Sequence, residues 1–254
     1  MSITRLDGRR IVITGAGSGM GEGLVRALPA LGAAVVAMDV NEQAGALVAS
    51  EAGARFVQVD VADQASVEAA FAEAARLLGG LDVLIHAAGI APSSPAQDSS
   101  VDLWNTVLGI NALGTMLTNQ AAFGLMRESG GQILNFGSAA GILGQPNKAV
   151  YAASKGAVTA WTRTAAKEWA AYGITINIIA PAIWTPMYDR TRSEMTPEQL
   201  AAHDAFMATA VPIGGRLGDI DRDFVPVIAF YASEGAAFMT GQVVSIDGGT
   251  MMVR

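Results

Sequence analysis

Tyr151 and Lys155 stand four residues apart in the run Tyr-Ala-Ala-Ser-Lys, with Ser138 thirteen residues upstream of the tyrosine. On a helix that spacing puts the phenol and the ammonium on one face, a turn apart. A free phenol ionises only near pH ~10, so at neutral pH it is a base only where a fixed cation favours the phenolate, and Lys155 can be that cation. A serine hydroxyl nearby can hold a carbonyl or carbinol oxygen against the phenol. Together the three side chains could polarise a ketone or deprotonate a secondary alcohol. Alone, a tyrosine and lysine at this spacing are a common helix surface, and a loop serine such as Ser138 can simply bond its own backbone. Their meaning depends on the elements around them.

Those elements begin with the apolar run Arg10-Ile-Val-Ile-Thr14, a short strand, followed by Gly15-Ala-Gly-Ser-Gly-Met-Gly21 and a helical stretch over 22–31. A strand, a glycine turn and a helix make a phosphate site, because the helix N-terminal amides and dipole favour a pyrophosphate. The spacing is Gly15-x-x-x-Gly19-x-Gly21, with Ser18 and Met20 between the glycines. Asp39 lies eighteen positions past Gly21, at the end of a second apolar run over 33–38. A carboxylate there accepts both hydroxyls of an adenosine ribose and repels a 2′-phosphate. No Lys or Arg occurs over 39–54, and Ser18 stands where a basic residue could meet that phosphate. NAD is therefore favoured over NADP.

The glycine loop, Ser138 and the Tyr151/Lys155 pair together resemble the short-chain dehydrogenase/reductase family in its form of about this length, and the likeness runs through essentially the whole chain. The resemblance implies further roles. Asp60-Val61 is similar to the pair that meets the adenine. His86-Ala-Ala88-Gly89 resembles the Asn-Asn-Ala-Gly segment ending the fourth strand, and Asn111 resembles the helix asparagine that supports a water relay to the lysine. Pro181, Ile183 and Thr185 fall where the family meets the nicotinamide, while 240–242 and 246–249 resemble its closing strand and turn. Three departures stand out. Ala87 replaces an asparagine, removing a side-chain brace between central strands; Ala182 replaces a glycine, which costs something if φ is positive there; and Asp219-Ile-Asp-Arg-Asp223 alters a helix start.

With 254 residues, 51% of them hydrophobic and 15% charged, the chain suits one α/β domain whose parallel sheet is covered on both faces. The pattern predicts strands near 10–14, 34–39, 56–60, 82–87, 132–137, 174–180 and 242–246, with helices between them, including one over 62–75: a doubly wound, seven-stranded Rossmann sheet. Residues 183–212 form an expected substrate lid, bounded by Pro186 and Pro197. Ile183, Trp184, Met187, Tyr188, Met195, Phe206 and Met207 make it apolar, which favours a lipophilic substrate. Gln145 and Asn147 are candidate polar contacts. His86 reads as a core or cofactor-edge histidine with a backbone partner, and His203 as solvated.

No cysteine is present, which excludes disulfides and thiolate chemistry, and two histidines far apart make no metal cluster. The net charge of −7 disfavours a nucleic-acid surface. The start, Met1 to Gly8, lacks an apolar leader core, and no apolar run is long enough to span a bilayer, so a cytoplasmic protein is expected. The apolar 101–128 and 150–172 stretches and the Met251-Met252 tail point to subunit contacts, which in this family means a homotetramer. The leading expectation is an NAD-dependent dehydrogenase or reductase acting on a small alcohol or ketone. A 3-oxoacyl-thioester reductase of the carrier-protein type and a non-catalytic nucleotide binder are the alternatives.

Overall fold

All seven expected strands form. A computed structural model describes residues 5–251; the first four residues of the start, and Met252 of the tail, lie outside them. β1 (Arg10–Thr14), β2 (Ala34–Asp39), β3 (Arg55–Gln58), β4 (Val83–His86), β5 (Gly131–Phe136), β6 (Ile174–Pro181) and β7 (Val243–Ile246) pair in parallel in the order β3-β2-β1-β4-β5-β6-β7. The order reverses between β1 and β4, where Thr14 stands beside His86. In a doubly wound sheet a crevice opens outside the carboxyl ends of the strands at that point.

Alternation along each strand decides the layers. Ile11 and Ile13 of β1 face a core with α1 (Gly19–Ala27), α2 (Glu42–Ala52) and the later helix over Val225–Ala232, whereas Val12 faces one with α3 (Gln64–Leu78) and the helices over 114–126 and 149–169. Strands buried on both faces need apolar residues at every position, which is why they read as unbroken runs. Helix starts follow side-chain caps: Asn41 accepts from Ala44 N, Asp63 from Ala65 N and Ser100 from Leu103 N.

Several boundaries differ from the sequence reading. α1 begins at Gly19 and stops at Ala27, since Pro29 opens a separate 3₁₀ turn over Pro29–Leu31. The 101–128 stretch is not one α-helix: α4 (Val101–Leu108) and α5 (Gly114–Met126) are joined by a π-helical turn, Gly109–Leu113, that carries Asn111. After β5 come α6 (Ala140–Leu143) and α7 (Ala149–Trp169), and after β6 the segment forms α8 (Pro186–Ser193) and α9 (Pro197–Ala210), the latter started by a Thr196/Gln199 capping box.

The departures from the family pattern resolve physically. Asp219 caps a π turn over Ile220–Phe224, accepting from Arg222 N at 2.8 Å, and that turn leads into α10 (Val225–Ala232). Phe224 is fully buried edge-on to Phe136, centroids 5.9 Å apart, so the altered start still docks. Among the described residues Asn147 is the one non-glycine with positive φ, so Ala182 carries no left-handed strain. The brace missing at Ala87 is replaced by neighbours: His86 Nδ1 lies 2.9 Å from Thr14 Oγ1 and 3.1 Å from Thr118 Oγ1, linking β1, β4 and α5. His86 thus has hydroxyl partners rather than the expected backbone one. Met251 is also corrected: it is 4% exposed, with its amide on Asp247 Oδ2, and packs within its own chain.

Candidate active site

The crevice at the reversal point is a cleft of about 450 Å³. One wall is the glycine loop. Gly15 has φ +68°, and a Cβ there would come within 2.7 Å of Ala88 N, so only glycine lets β1 turn this close to the end of β4. A Cβ on Gly21 would overlap the Gly15 carbonyl, which binds the loop to the first turn of α1. The cradle is therefore a backbone surface backed by a helix N-terminus, and it suits a diphosphate. Gly15, Ser18, Gly19, Met20, Gly21, Asp39, Asp60, Val61, Ala88, Gly89 and Thr185 all line the cleft. Asp39 is oriented by two backbone donors, Gly17 N to Oδ2 and Asn41 N to Oδ1, both at 2.8 Å. Each carboxylate oxygen accepts one of these donors and keeps further acceptor capacity, and Asp39 lines the cleft. The residues present fit a dinucleotide.

The polar trio assembles from two elements. Ser138 follows β5 and accepts from Ala140 N at 3.1 Å, while Tyr151 and Lys155 lie one turn apart on α7. The ammonium is 5% exposed and donates to the Phe136 carbonyl at 2.7 Å, and it lies 5.9 Å from the centre of the Tyr151 ring. Burial pulls Lys155 down to about 8, since it penalises the charged form. Burial pushes the Tyr151 phenol up, and its hydrogen bond with Ser138 offsets part of that rise. The phenol thus sits above its ordinary value, opposite to the sequence expectation, because desolvation outweighs the hydrogen bond from Ser138. His86 is driven down to about 3 by burial first and by Lys155 second, and so is neutral.

Asn111 is wholly buried and joins the cleft floor to α7. Its Nδ2 donates to Ile90 O and to Ser154 Oγ, both at 2.9 Å, and its Oδ1 accepts from Ile90 N at 2.9 Å. Ser154 in turn donates to the Tyr151 carbonyl at 2.7 Å. A Cβ on Gly89 would lie 3.1 Å from Asn111 Oδ1 and 3.5 Å from Lys155 Nζ, so the two polar groups converge on one glycine. Sequence reasoning missed Ser154; its position three residues after Tyr151, on the inward face, was the available signal. It also missed Val40, Val59, Ile90, Ile110 and Arg190 in the cleft lining.

The 183–212 residues divide. Ile183 is buried and bridged to Gly218, and Trp184 N donates to Gly218 O at 2.8 Å. Beyond that anchor neither α8 nor α9 has a buried residue, and Trp184, Met187 and Phe206 are 38%, 47% and 64% exposed. Met187 lines the cleft; Pro181, Ile183, Trp184, Tyr188 and Gln145 do not. Tyr188 OH is 2.6 Å from His203 Nε2, so His203 is not simply solvated as expected. Gln145 is exposed in the loop before α7, and Asn147 there accepts Ser94 N at 2.9 Å through its carbonyl. Among the described residues no group could hold a metal, and no helix is long and apolar enough to cross a membrane.

Fold and cleft are those of a dinucleotide-binding oxidoreductase. A family profile described as Enoyl-(Acyl carrier protein) reductase matches residues 15–251. The chain is 39% identical over 248 residues to cis-4-hydroxycyclohexanecarboxylate dehydrogenase of Sinomonas cyclohexanicum, covering 95% of this chain and 96% of that protein. It is 34% identical to an L-fucose dehydrogenase of Oryctolagus cuniculus, covering 96% and 86%. Levodione reductase superposes with a TM-score of 0.87 at 33% identity, covering 96% of this chain and 98% of that one. The chain belongs to the short-chain dehydrogenase/reductase family. It is an oxidoreductase acting on CH–OH groups, and the dehydrogenases of its family use a nicotinamide dinucleotide.

Proposed function

We propose that the protein interconverts a lipophilic secondary alcohol and its ketone, with NAD(H) as the hydride carrier. The observation that carries this reading is the convergence of Ser138, Tyr151 and Lys155 beside a cleft whose ribose end holds a fixed Asp39 carboxylate. The nicotinamide, when bound, takes or gives the hydride. Tyr151 takes the hydroxyl proton in oxidation and returns it in reduction. Ser138 orients the substrate oxygen against the phenol. Lys155 supplies positive charge beneath the ring, and its pKa of about 8 lets it exchange a proton near neutral pH. Asn111, through Ile90 and Ser154, holds the floor of the cleft and α7 in register, next to any water relay leading from Lys155. Asp60 and Val61 would meet the adenine and Thr185 would border the nicotinamide, with Pro181 and Ile183, outside the cleft lining, on the same stretch of chain.

The exposed apolar side chains of α8 and α9 support a lid that closes over an apolar substrate, with Met187 in the cleft lining and Trp184, Tyr188 and Gln145, which lie outside it, as the further candidate substrate contacts once the lid closes. The names of two relatives give a sugar, L-fucose, and a hydroxycyclohexane carboxylate as substrates, which agrees with a hydroxyl-bearing substrate. The whole chain acts as one domain, and a cytoplasmic homotetramer is the proposed assembly, supported by exposed Val101, Trp104 and Leu113 along the 101–126 segment. Light scattering that gave a monomer at micromolar concentration would refute the tetramer.

The test is oxidation of a panel of secondary alcohols with NAD and with NADP, run beside Tyr151→Phe. The variant should lose about 10²- to 10⁴-fold in rate while keeping NADH binding. Turnover preferring NADP, or surviving in the phenylalanine variant, overturns the reading. The profile's description favours one second reading, an acyl-thioester reductase. Reduction of a 3-oxoacyl thioester at a rate above that of any simple ketone would establish it.

A further inference from the structure

The geometry points to Arg190 as the cationic clamp of the cofactor diphosphate, carried on α8 rather than on the glycine loop. This rests on the reading of the cleft as a dinucleotide site, though not on the choice between NAD and NADP. Among the described residues lining the cleft, Asp39 and Asp60 are acidic and Arg190 is the sole basic side chain. A diphosphate adds two further negative charges to a cleft already net negative. The glycine-loop amides and the dipole of α1 offset only part of this, a helix N-terminus being equivalent to about half a charge.

The sorting of side chains on α8 leaves Arg190 free for the task. Pro186, Met187 and Arg190 share the face toward the cleft, at helical spacing. Thr185, the residue that starts the helix, approaches the loop so closely that a Cβ on Gly19 would lie 3.9 Å from it. The opposite side is committed to α9. Arg192 pairs with Asp204 and lies 5.1 Å from the Trp184 ring and 5.7 Å from the Tyr188 ring, while Tyr188 OH meets His203. Asp189, adjacent to Arg190, accepts from Trp184 Nε1 at 2.8 Å instead of pairing with it. Among the described residues the Arg190 guanidinium makes no ion pair, although five other arginines of this acidic chain pair with carboxylates other than an immediate neighbour's. A planar fork of donors on an exposed helix matches a diphosphate in two-point fashion. Because Arg192 and Tyr188 tie α8 to α9, engagement of the phosphates by Arg190 would draw both helices over the cleft as one body.

Equilibrium binding of adenosine, ADP-ribose, NADH and NADPH to the intact protein tests the assignment, with Arg190→Gln, Arg190→Lys and, as a distant control, Arg127→Gln. Arg190→Gln should weaken ADP-ribose and NADH by about tenfold and leave adenosine unchanged, with Arg190→Lys intermediate and the control like wild type. Raising the salt should narrow the gap between wild type and Arg190→Gln. Unchanged ADP-ribose affinity in Arg190→Gln overturns the proposal. So does an equal loss for adenosine, which signals a damaged site, or a loss confined to NADPH, which would assign the guanidinium to a 2′-phosphate. If the dinucleotides bind normally but the KM for a carboxylate-bearing alcohol rises, Arg190 is a substrate anchor and the assignment falls. Wild-type protein that binds neither adenosine nor ADP-ribose would instead remove the dinucleotide reading itself, and this proposal with it.

Discussion

Replacing Lys155 by methionine should make the protein more stable and inactive at once. The ammonium is held in a buried site with one carbonyl partner, and its fall from 10.5 to about 8 corresponds to about 3 kcal/mol acting against the fold at pH 7. Methionine has similar bulk and no charge, so it removes that penalty. It also strips the Phe136 carbonyl of its lysine donor, which costs about 1–2 kcal/mol. The net gain is about 1–2 kcal/mol at pH 7, a rise in Tm of a few degrees for a chain of 254 residues. The pH dependence fixes the cause. Between about 8 and 10.5 the unfolded chain binds the lysine proton and the folded one has lost it, so wild-type stability climbs across that window. The methionine variant lacks this climb, and its advantage should shrink above pH 8 and reverse before 10.5. Urea unfolding at pH 7, 8.5 and 10, at one protein concentration, measures it. A variant less stable than wild type at pH 7, or a difference that ignores pH, would refute the reasoning.

Three other substitutions probe the same cleft. Asp39→Asn removes the charge that repels a 2′-phosphate and should move the NADP-to-NAD ratio of kcat/KM by about a hundredfold toward NADP; an unmoved ratio would show that Asp39 does not select the cofactor. His86 protonates near 3 when folded and near 6.5 when unfolded, so stability is lost as the pH falls through that interval. His86→Asn should escape about 3 kcal/mol of this loss by pH 4, and equal losses between pH 7 and 4 by urea titration would count against a buried neutral imidazole. Gly21→Ala drives a Cβ into the Gly15 carbonyl. It should cost about 3 kcal/mol in unfolding experiments and abolish ADP-ribose binding, whereas a wild-type melting curve would mean that the loop can yield.

The residues that can do chemistry, the seven strands, the glycine turn and the phosphate-facing helix were all legible in the chain, because each depends on local spacing. A tyrosine and lysine four apart share a helix face in any protein, and strands buried on both sides must be apolar throughout. The absence of cysteine and the carboxylate at Asp39 are likewise matters of composition and position. What the sequence could not convey depends on groups distant along it. The direction in which Tyr151 is displaced follows from how deeply the phenol is buried. The brace replacing Ala87 joins Thr14, His86 and Thr118, and the closure of the cleft floor joins Asn111 to Ile90 and Ser154. The α8–α9 pairing of Tyr188 with His203, which frees Arg190 toward the cleft, appears in no local pattern. Burial, desolvation and the choice of hydrogen-bond partner arise when strands far apart in sequence come together, so the chain determined which groups exist and on which faces they lie, and tertiary packing decided their charge, their partners and what they confront.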